Sequence, residues 1–435
     1  MTWTAAWARA ARPCQLMRDR IRSVLRALLV APPRPYASAR NLGLAGGGLR
    51  GDVSRAEPPD ACVWFARRYG REPEGAWFAP GRVNLIGGPD YNEVFVLPFA
   101  LGTGVSAAAS RRPDGQIALV SRQAGGDPVL LSIDTLEPGS VGGWAAYAAG
   151  VAWALRQAGY LAGGADVAID ADLPPGAGLS SSAALACSVA LALTELYERS
   201  VPRPELAGLA RRAENDFAGV PTGVMDQLAV LLCRAGHALL LDCRTGTGTA
   251  VPLDPAAAGL ELLVLDTRAP RALADGRYAA RRRACQDAAA MLGVRSLREI
   301  ADGPEALARL TEPFLQRAAR HVISENRRVL AAAELLRAGQ LAGIGRLLTA
   351  SHLSLRDEFE VSWPQADEAV EAAIDAGALG ARMTGGGFGG SVIALVPADR
   401  AGQVGQAVTE RFARRRWPAP GYLAAVPSGG ACRIR

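Results

Sequence analysis

Three segments of the sequence combine the residue types that bind anions and move protons. The first, LPPGAGLSSSAAL (Leu173 to Leu185), places glycines before three consecutive serines that open a helix. Glycine lets backbone N–H groups approach a ligand closely, and a helix N-terminus is positively polarised with unpaired N–H groups. The segment therefore predicts a phosphate site. A helix simply capped by serine after a glycine turn is the alternative interpretation.

The second segment, AENDFAGVPTGVMDQLAVLL (Ala213 to Leu232), contains two acidic residues on either side of a break between helices. Thr222 can cap the second helix, which would put Asp226 in its first turns. Asp226 could then be an ordinary capping carboxylate, but the helix that follows it is apolar and predicted to be buried. Glu214 lies on the preceding helix, so the break could bring the two carboxylates together. Two acids beside a phosphate site suggest Mg²⁺.

The third segment, MTGGGFGGS (Met383 to Ser391), formally matches the dinucleotide-binding pattern G-x-G-x-x-G. That pattern needs a helix after its glycines, whereas the next residues, SVIALV, predict a strand. We therefore reject a dinucleotide site and expect a close approach of the glycine backbone to a ligand or to another loop.

The elements that position these segments predict an α+β fold. Alternating β-branched and aromatic residues predict strands in GAWFAPGRVNLIG and EVFVLPFALGTGVSAAAS and again at 117–121, 165–171, 237–244 and 260–268. Helices are predicted at 61–70, 143–157, 204–217 and 222–233, after the three serines, and from Tyr278 to about Ser351. These elements occur in clusters without regular strand–helix alternation, which disfavours a doubly wound sheet.

Composition excludes several classes of protein. All 48 basic residues of the 435-residue chain are arginine. A chain without lysine cannot carry a Walker A loop, the protein-kinase strand lysine or a Schiff base. Ten arginines and three acidic residues lie in positions 1–58, so the rest of the chain is nearly neutral and offers no basic surface for nucleic acid. The apolar runs are too short to span a membrane.

The cysteines, histidines and N-terminus indicate where the protein works. Seven widely spaced cysteines without a CxxC pair predict free thiols in the cytoplasm, and three histidines make a histidine metal site improbable. Residues 1–58 are expected to be a disordered extension or an upstream start codon, although Arg18 to Val30 could form a basic helix and the segment also resembles a transit peptide.

Four motifs in order give the chain a resemblance to a known family. GRVNLIG…DYN…VLPFA, LPPGAGLSSSAAL, FAGVPTGVMDQ and RMTGGGFGGS are similar to the motifs of the galactokinase branch of the GHMP small-molecule kinases, and the resemblance covers residues 60–435. It implies a two-lobed GHMP kinase fold with the active site between the lobes, here 59–240 and 241–435. It also implies an ATP-dependent kinase, expected to be monomeric, that phosphorylates the C1 hydroxyl of galactose.

The resemblance assigns roles to residues of this sequence. Arg82 is expected to steady the transferring phosphoryl group, and Asp226 to lie beside the C1 hydroxyl. Arg82 and the helix N-terminus both favour the carboxylate form of Asp226, so it should be a weak general base that takes the proton late. Ser182 and Glu214 are implied as Mg²⁺ ligands. Sugar contacts are implied for Asp90, Asn92, Gly223 and Tyr278, and ATP contacts for Gly176, Ala177, Gly178, Leu179, Ser180, Ser181 and Ser182.

One loop departs from the family pattern. Where the family has Gly-Glu-His-x-Asp-Tyr-Asn, this chain has Gly87-Gly88-Pro89 followed by Asp90, so the loop is one residue shorter and lacks the glutamate and histidine expected to bond sugar hydroxyls. Three interpretations follow: a galactose kinase with a remodelled loop, a kinase for a deoxy or amino sugar, or a non-catalytic sugar or nucleotide sensor. The phosphoryl-transfer residues are intact, which argues against a sensor.

Overall fold

The computed structural model describes residues 60–174, 176–270, 276–300 and 303–435. The predicted N-terminal extension, with its candidate helix, lies outside these residues. Helices and strands occur in clusters, and the strands form three separate sheets. The predicted α+β fold class is confirmed.

The largest sheet carries Arg82 on a central strand. Its six strands lie in the order β13-β1-β3-β6-β4-β5, and every neighbouring pair is antiparallel except β4 and β6. Strand β1 is buried along almost its whole length, so Arg82 is held rigidly near its C-terminal end. The strands are β1 Gly75–Asn84, β3 Pro98–Arg112, β4 Gln116–Ser121, β5 Val129–Ser132, β6 Gly164–Ala171 and β13 Cys432–Arg433.

A helix that is apolar on all sides packs against this sheet. It spans Ser181–Leu196 and contacts β1 and β3. Only Ser181, Ser182 and Glu195 of this helix are not fully buried. A helix with apolar residues around its whole circumference is stable only when other elements surround it. The predicted burial is confirmed, and it fixes the helix N-terminus beside strand β1.

The second sheet belongs to the later part of the chain, whereas the third joins the early strand β2 to β7 and β8. The second has the order β10-β11-β9-β12, and the third, β2-β7-β8, is antiparallel. The predicted strands were found. Strand β8, which carries only one buried residue, was not predicted, and neither were β10 and β12. The strands are β2 Phe95–Val96, β7 His237–Asp242, β8 Thr247–Pro252, β9 Leu260–Asp266, β10 Gly380–Thr384, β11 Ser391–Pro397 and β12 Gly421–Ala424.

The glycine-rich MTGGGFGGS segment forms the turn of the hairpin between β10 and β11. A side chain at Gly387 would lie 2.6 Å from the carbonyl oxygen of Val361, and the N–H of Phe388 donates to that same oxygen at 2.9 Å. The predicted close approach to another loop is confirmed, and a strand rather than a helix follows the glycines.

The predicted helices were found, but their ends differ around Asp226. The helices Pro364–Asp375 and Ala401–Arg414 were not predicted. The helix predicted over 204–217 ends at Arg212 and continues as a single π-helical turn, Ala213–Phe217, and the helix predicted over 222–233 begins only at Met225. The described helices are Asp60–Tyr69, Ala145–Gln157, Ser181–Leu196, Arg203–Arg212, Met225–Leu232, Arg277–Leu292, Gly303–Ala308, Pro313–Arg337, Gly345–Asp357, Pro364–Asp375 and Ala401–Arg414. None of these helices combines the length and apolar character that a bilayer span requires.

The C-terminal part of the chain contacts strand β1 near its beginning, through the final strand, and at its end, through Thr384. The final strand pairs with β1, with Arg433 opposite Trp77. The hydroxyl of Thr384 donates to the carbonyl oxygen of Asn84 at 3.0 Å. Both parts of the chain therefore meet where β1 leads into the shortened loop. The division of the body at residue 240 stays a prediction.

Candidate active site

Arg82 and Asp226 form an ion pair at the centre of the candidate site. Arg82 donates from Nε and from Nη2 to Oδ1 of Asp226, at 2.9 and 2.7 Å. Its third donor, Nη1, bonds the carbonyl oxygen of Gly178 at 2.9 Å. The Arg82 side chain is 6% exposed and that of Asp226 is 23% exposed. The guanidinium is thus fixed on three contacts, while one side of the carboxylate stays open to a ligand.

Ser180 connects this pair to the glycine-rich loop. Its hydroxyl donates to Oδ2 of Asp226 at 2.5 Å, and its backbone is left-handed, with φ 59° and ψ 43°. That conformation is costly for a residue other than glycine and concentrates at functional sites. The side chain makes no capping hydrogen bond to the helix it precedes. The alternative of an ordinary serine-capped helix is therefore wrong.

The loop before this helix is shaped for an anion. Gly176 and Gly178 have positive φ angles of 79° and 78°. The N–H of Arg82 donates to the carbonyl oxygen of Leu179 at 3.1 Å, and the hydroxyl of Ser391 to that of Ala177 at 2.7 Å. Ser181 and Ser182 begin the helix, so the free N–H groups of its first turn lie at the end of this loop. Strand β1 and the glycine hairpin hold the loop from two sides.

Glu214 lies beside Ser182 on the π-helical turn. Gln227 donates Nε2 to Oε1 of the Glu214 carboxylate at 2.7 Å. Glu214 is 1% exposed. Burial, and next the nearby charge of Asp226, raise the pKa of Glu214 to about 7. The π-helical turn, a local feature common at functional sites, directs this carboxylate inward. The serine oxygen and the carboxylate are the hard ligands that Mg²⁺ prefers.

Thr222 does not cap the helix of Asp226, contrary to the prediction. Its N–H and its hydroxyl both donate to Oδ1 of Asn215, at 2.8 and 3.0 Å. The helix starts three residues later, with Asp226 as its second residue. Asp226 remains in the first turn, where the helix N-terminus favours a carboxylate.

Asp90 reaches the same helix from the shortened loop. Its Oδ2 accepts the N–H of Met225 at 2.9 Å. A side chain at Gly223 would lie 1.8 Å from this oxygen, so the Asp90 carboxylate occupies the space that a glycine leaves free. Burial, and next the charge of Asp226, raise the pKa of Asp90 above its ordinary value. The structure thus brings Asp90, Gly223 and Asp226 together.

The aromatic and amide residues implied at the sugar are Tyr278, which packs against the loop, and Asn92, which lies within it. The ring of Tyr278 packs edge-on against Tyr91, with 5.4 Å between centroids. Asn92 is 7% exposed, and its carbonyl oxygen accepts the Ser296 hydroxyl at 2.9 Å. No contact links Asn92 directly to Asp226, so the structure gives it the place of a residue that fixes the loop.

Glu93, which directly follows the loop, adopts a left-handed conformation with φ 56°. Arg244 donates to its carboxylate at 3.0 Å, and Arg298 donates to its carbonyl oxygen at 2.9 Å. These contacts hold a conformation that glycine adopts more readily.

Gln227, Glu325 and Arg382 are polar residues of this region that the sequence did not reveal. Gln227 directly follows Asp226 in the motif FAGVPTGVMDQ, so its position beside Asp226 in the sequence could have identified it. Glu325 and Arg382 are 238 and 295 positions away from Gly87, which they both contact. No local pattern marks such distant partners.

Comparisons with known proteins define the class and then the family. Residues 146–234 match the model of the GHMP kinases N terminal domain, and residues 332–414 match that of the GHMP kinases C terminal. These matches define a GHMP kinase. Residues 64–111 match the galactokinase galactose-binding signature.

Individual relatives agree with these models. The chain is 49% identical to the galactokinase of Streptomyces coelicolor over 374 residues, which is 85% of this chain and 97% of that protein. It is 46% identical to the galactokinase of Mycobacterium tuberculosis strain H37Rv, over 82% of this chain and 98% of the relative. The chain therefore belongs to the galactokinase family.

Solved structures show the same fold. The structure of Lactococcus lactis galactokinase complexed with galactose superposes with a TM-score of 0.81 at 32% identity, covering 86% of this chain and 98% of that chain. A mevalonate kinase superposes with a TM-score of 0.58 at 16% identity, covering 77% and 95%, which shows a shared fold alone. The predicted GHMP kinase fold is confirmed.

Proposed function

We propose that this protein transfers the γ-phosphoryl group of ATP to the C1 hydroxyl of galactose, giving galactose 1-phosphate and ADP. The family supports the reaction, and one geometric observation carries the mechanism. A buried arginine, an aspartate and the start of a loop-bound helix meet at Arg82, Asp226 and Ser180. Relatives at 45–49% identity named galactokinase do not favour the alternatives of another sugar or a sensor.

Asp226 would orient the attacking hydroxyl. Its Oδ1 is bonded by Arg82 and its Oδ2 by Ser180, so the carboxylate cannot rotate. A sugar hydroxyl that donates to its open side is held with its oxygen towards the phosphoryl group. Phosphoryl transfer passes through a loose transition state with little bond formation, so the proton leaves late and a weak base is sufficient.

Arg82 and the loop would stabilise the charge that the transferring group spreads over its oxygens. The guanidinium is fixed before the substrate arrives, so no reorganisation is needed during the reaction. The free N–H groups at Ser181 and Ser182 would bind the ATP phosphates. A chain without lysine can supply this positive field from arginine and backbone groups alone.

The residues around Glu214 fit Mg²⁺. Ser182 lies in the first turn of its helix, and Glu214 on the neighbouring π-helical turn. Mg²⁺ is commonly bound by one or two protein oxygens together with substrate phosphates. Ser182 and Glu214 would hold the ion, which when bound neutralises phosphate charge. Glu214 must lose its proton to serve as a ligand, which is within reach of a group with a pKa of about 7.

Asp90 would bind a sugar hydroxyl at the other side of Asp226. The Met225 N–H and the bare Gly223 fix one end of its carboxylate, which leaves acceptor capacity for the substrate. Tyr278 and Asn92 are proposed on the same wall. A monomeric state and a cytoplasmic location stay predictions, the latter resting on the unpaired thiols of the described cysteines.

A sugar panel tests the proposal. ADP release is measured with galactose and with its 2-deoxy, 6-deoxy and amino analogues, and Asp226→Asn serves as the control for contaminating kinases. We expect galactose to give the highest kcat/KM. Turnover of deoxy sugars without galactose, or of no sugar, contradicts the proposal.

A further inference from the structure

Two buried charged residues from the distant part of the chain hold both backbone polar groups of Gly87 in the shortened loop. Oε1 of Glu325 accepts the N–H of Gly87 at 3.1 Å. Nη2 of Arg382 donates to the carbonyl oxygen of Gly87 at 3.2 Å, and its Nη1 to that of Leu85 at 3.3 Å. Both charged side chains are 2% exposed. We call Glu325 and Arg382 the loop clamp.

The clamp is a charged pair in a closed environment. Nη2 of Arg382 lies 4.0 Å from Oε1 of Glu325, and Arg328 donates to Oε2 at 2.7 Å. The Ser351 hydroxyl bonds Oε1 at 2.5 Å. Burial raises the pKa of Glu325, but Arg382 and Arg328 outweigh it and lower the pKa below its ordinary value, so Glu325 is charged. A buried ion pair stabilises a fold little more than apolar residues would, so fold stability alone does not account for it.

The position of Gly87 constrains the position of Asp90 through the short loop. Only Gly88 and Pro89 separate the two residues, and Pro89 has its φ fixed by its ring. Gly88 lies beside the same helix, because a side chain there would be in ordinary contact with Nε2 of His321 and Cγ of Glu325, at 3.7 and 3.8 Å. Asp90 is bonded in turn to Met225, next to the catalytic aspartate. The short loop therefore runs between two bonded ends, Gly87 and Asp90.

We propose that Glu325 and Arg382 are positioning residues for galactose, which set the place of Asp90 by holding the Gly87 peptide in a loop that has lost its own glutamate and histidine. This inference rests on the proposed function. Neither residue touches the reacting atoms. Arg82 and Asp226 have their own supports in Gly178 and Ser180, so loosening the clamp should impair sugar binding more than the chemical step.

Three variants loosen the clamp to different degrees. Glu325→Gln presents one oxygen to three donors, Gly87, Ser351 and Arg328, so at least one contact is lost. Arg382→Lys keeps the charge but loses the planar fork that reaches two carbonyl oxygens. Ser351→Ala removes only a support of Glu325 and is the mildest change, chosen to preserve folding.

The matched control is Glu368→Gln. Glu368 is also a poorly exposed carboxylate between two arginines, Arg411 and Arg415, but it lies on helix Pro364–Asp375, and its bonded partners lie away from the loop. This variant should lower the melting temperature while leaving the kinetics of the wild type unchanged.

The experiment measures KM for galactose, KM for ATP and kcat for the four variants, at a temperature where circular dichroism shows each to be folded. We expect Glu325→Gln and Arg382→Lys to raise KM for galactose about tenfold, the equivalent of one hydrogen bond to a charged group. We expect a smaller rise for Ser351→Ala, with kcat and KM for ATP within about threefold of the wild type.

Two results would overturn the inference. An unchanged KM for galactose in all three clamp variants would show that the loop holds its place without the clamp. A rise in KM for galactose matched by an equal rise in KM for ATP and an equal fall in kcat would show a general structural role. A wild-type enzyme that does not phosphorylate galactose would instead defeat the proposed function, so the two failures are distinguishable.

Discussion

Arg82 bonds only one oxygen of Asp226, and Ser180 bonds the other. Two nitrogens of the guanidinium converge on Oδ1, and the serine hydroxyl donates to Oδ2. The carboxylate is therefore fixed from both ends while its open side faces the site. Arg82 was expected near Asp226 on sequence grounds, but the division of its two oxygens between an arginine and a left-handed serine was not.

Replacing Asp226 with asparagine should abolish turnover while the protein stays folded. The amide has nearly the same shape, but it presents only one oxygen to Arg82 and Ser180 and cannot accept the hydroxyl proton. We expect kcat to fall by about 10³-fold or more, as for loss of a general base together with its orientation. Stopped assays with radiolabelled ATP would measure this. A variant with more than about a tenth of the wild-type rate would refute the assignment.

Replacing Arg82 with lysine tests whether the guanidinium stabilises the charge of the transferring phosphoryl group. A single ammonium group cannot bond Asp226 twice and the Gly178 carbonyl as well. We expect kcat to fall about 10²-fold, typical of a lost transition-state donor, with little change in KM for galactose. Steady-state kinetics check this. A raised KM with unchanged kcat would instead place Arg82 in ground-state binding.

Replacing Gly223 with alanine should displace Asp90, because the new methyl group would lie 1.8 Å from its carboxylate oxygen. We expect KM for galactose to rise about tenfold or more, since a charge-assisted contact is lost. Gly208→Ala is the control. Gly208 lies within helix Arg203–Arg212 and has no atom within 4 Å of the added methyl group, so this variant should keep wild-type kinetics. Equal KM values for galactose in both variants would show that Asp90 does not bind the sugar.

The stability contributed by Glu214 should depend on pH. Its pKa is about 7 in the folded protein against 4.5 ordinarily, so between these values the native state keeps a proton that the unfolded chain has lost. Stability from this group is thus fully present below pH 4.5 and is lost as pH rises through about 7. Without Mg²⁺, the melting temperature of the wild type relative to Glu214→Gln should be higher at pH 5 than at pH 8. A difference independent of pH would contradict the raised pKa.

Local sequence patterns predicted the parts of the site that lie within continuous segments. The glycine–serine loop, the buried helix after it and the position of Asp226 in a first turn follow from residue types and spacing. Glycine geometry predicted the close approach at Gly387 in the same way. These features depend on neighbours in the chain, so a single sequence contains them.

Features that depend on side-chain partners or lack an apolar pattern were not predictable. Thr222 was expected to cap a helix, but Asn215 offers a better partner, and the helix begins later. The Gly87 contacts of Glu325 and Arg382 arise only when the two parts of the chain meet. Strand β8 was missed because its mostly exposed residues lack an apolar alternation.

The most direct test of the account is the identity of the product. The purified protein is incubated with galactose, ATP and Mg²⁺, and phosphorus–proton correlation NMR locates the transferred phosphoryl group, with Asp226→Asn in parallel. The account predicts a phosphorus signal coupled to the anomeric proton of galactose for the wild type and none for the variant. A phosphoryl group on another hydroxyl, or equal product from both proteins, would contradict it.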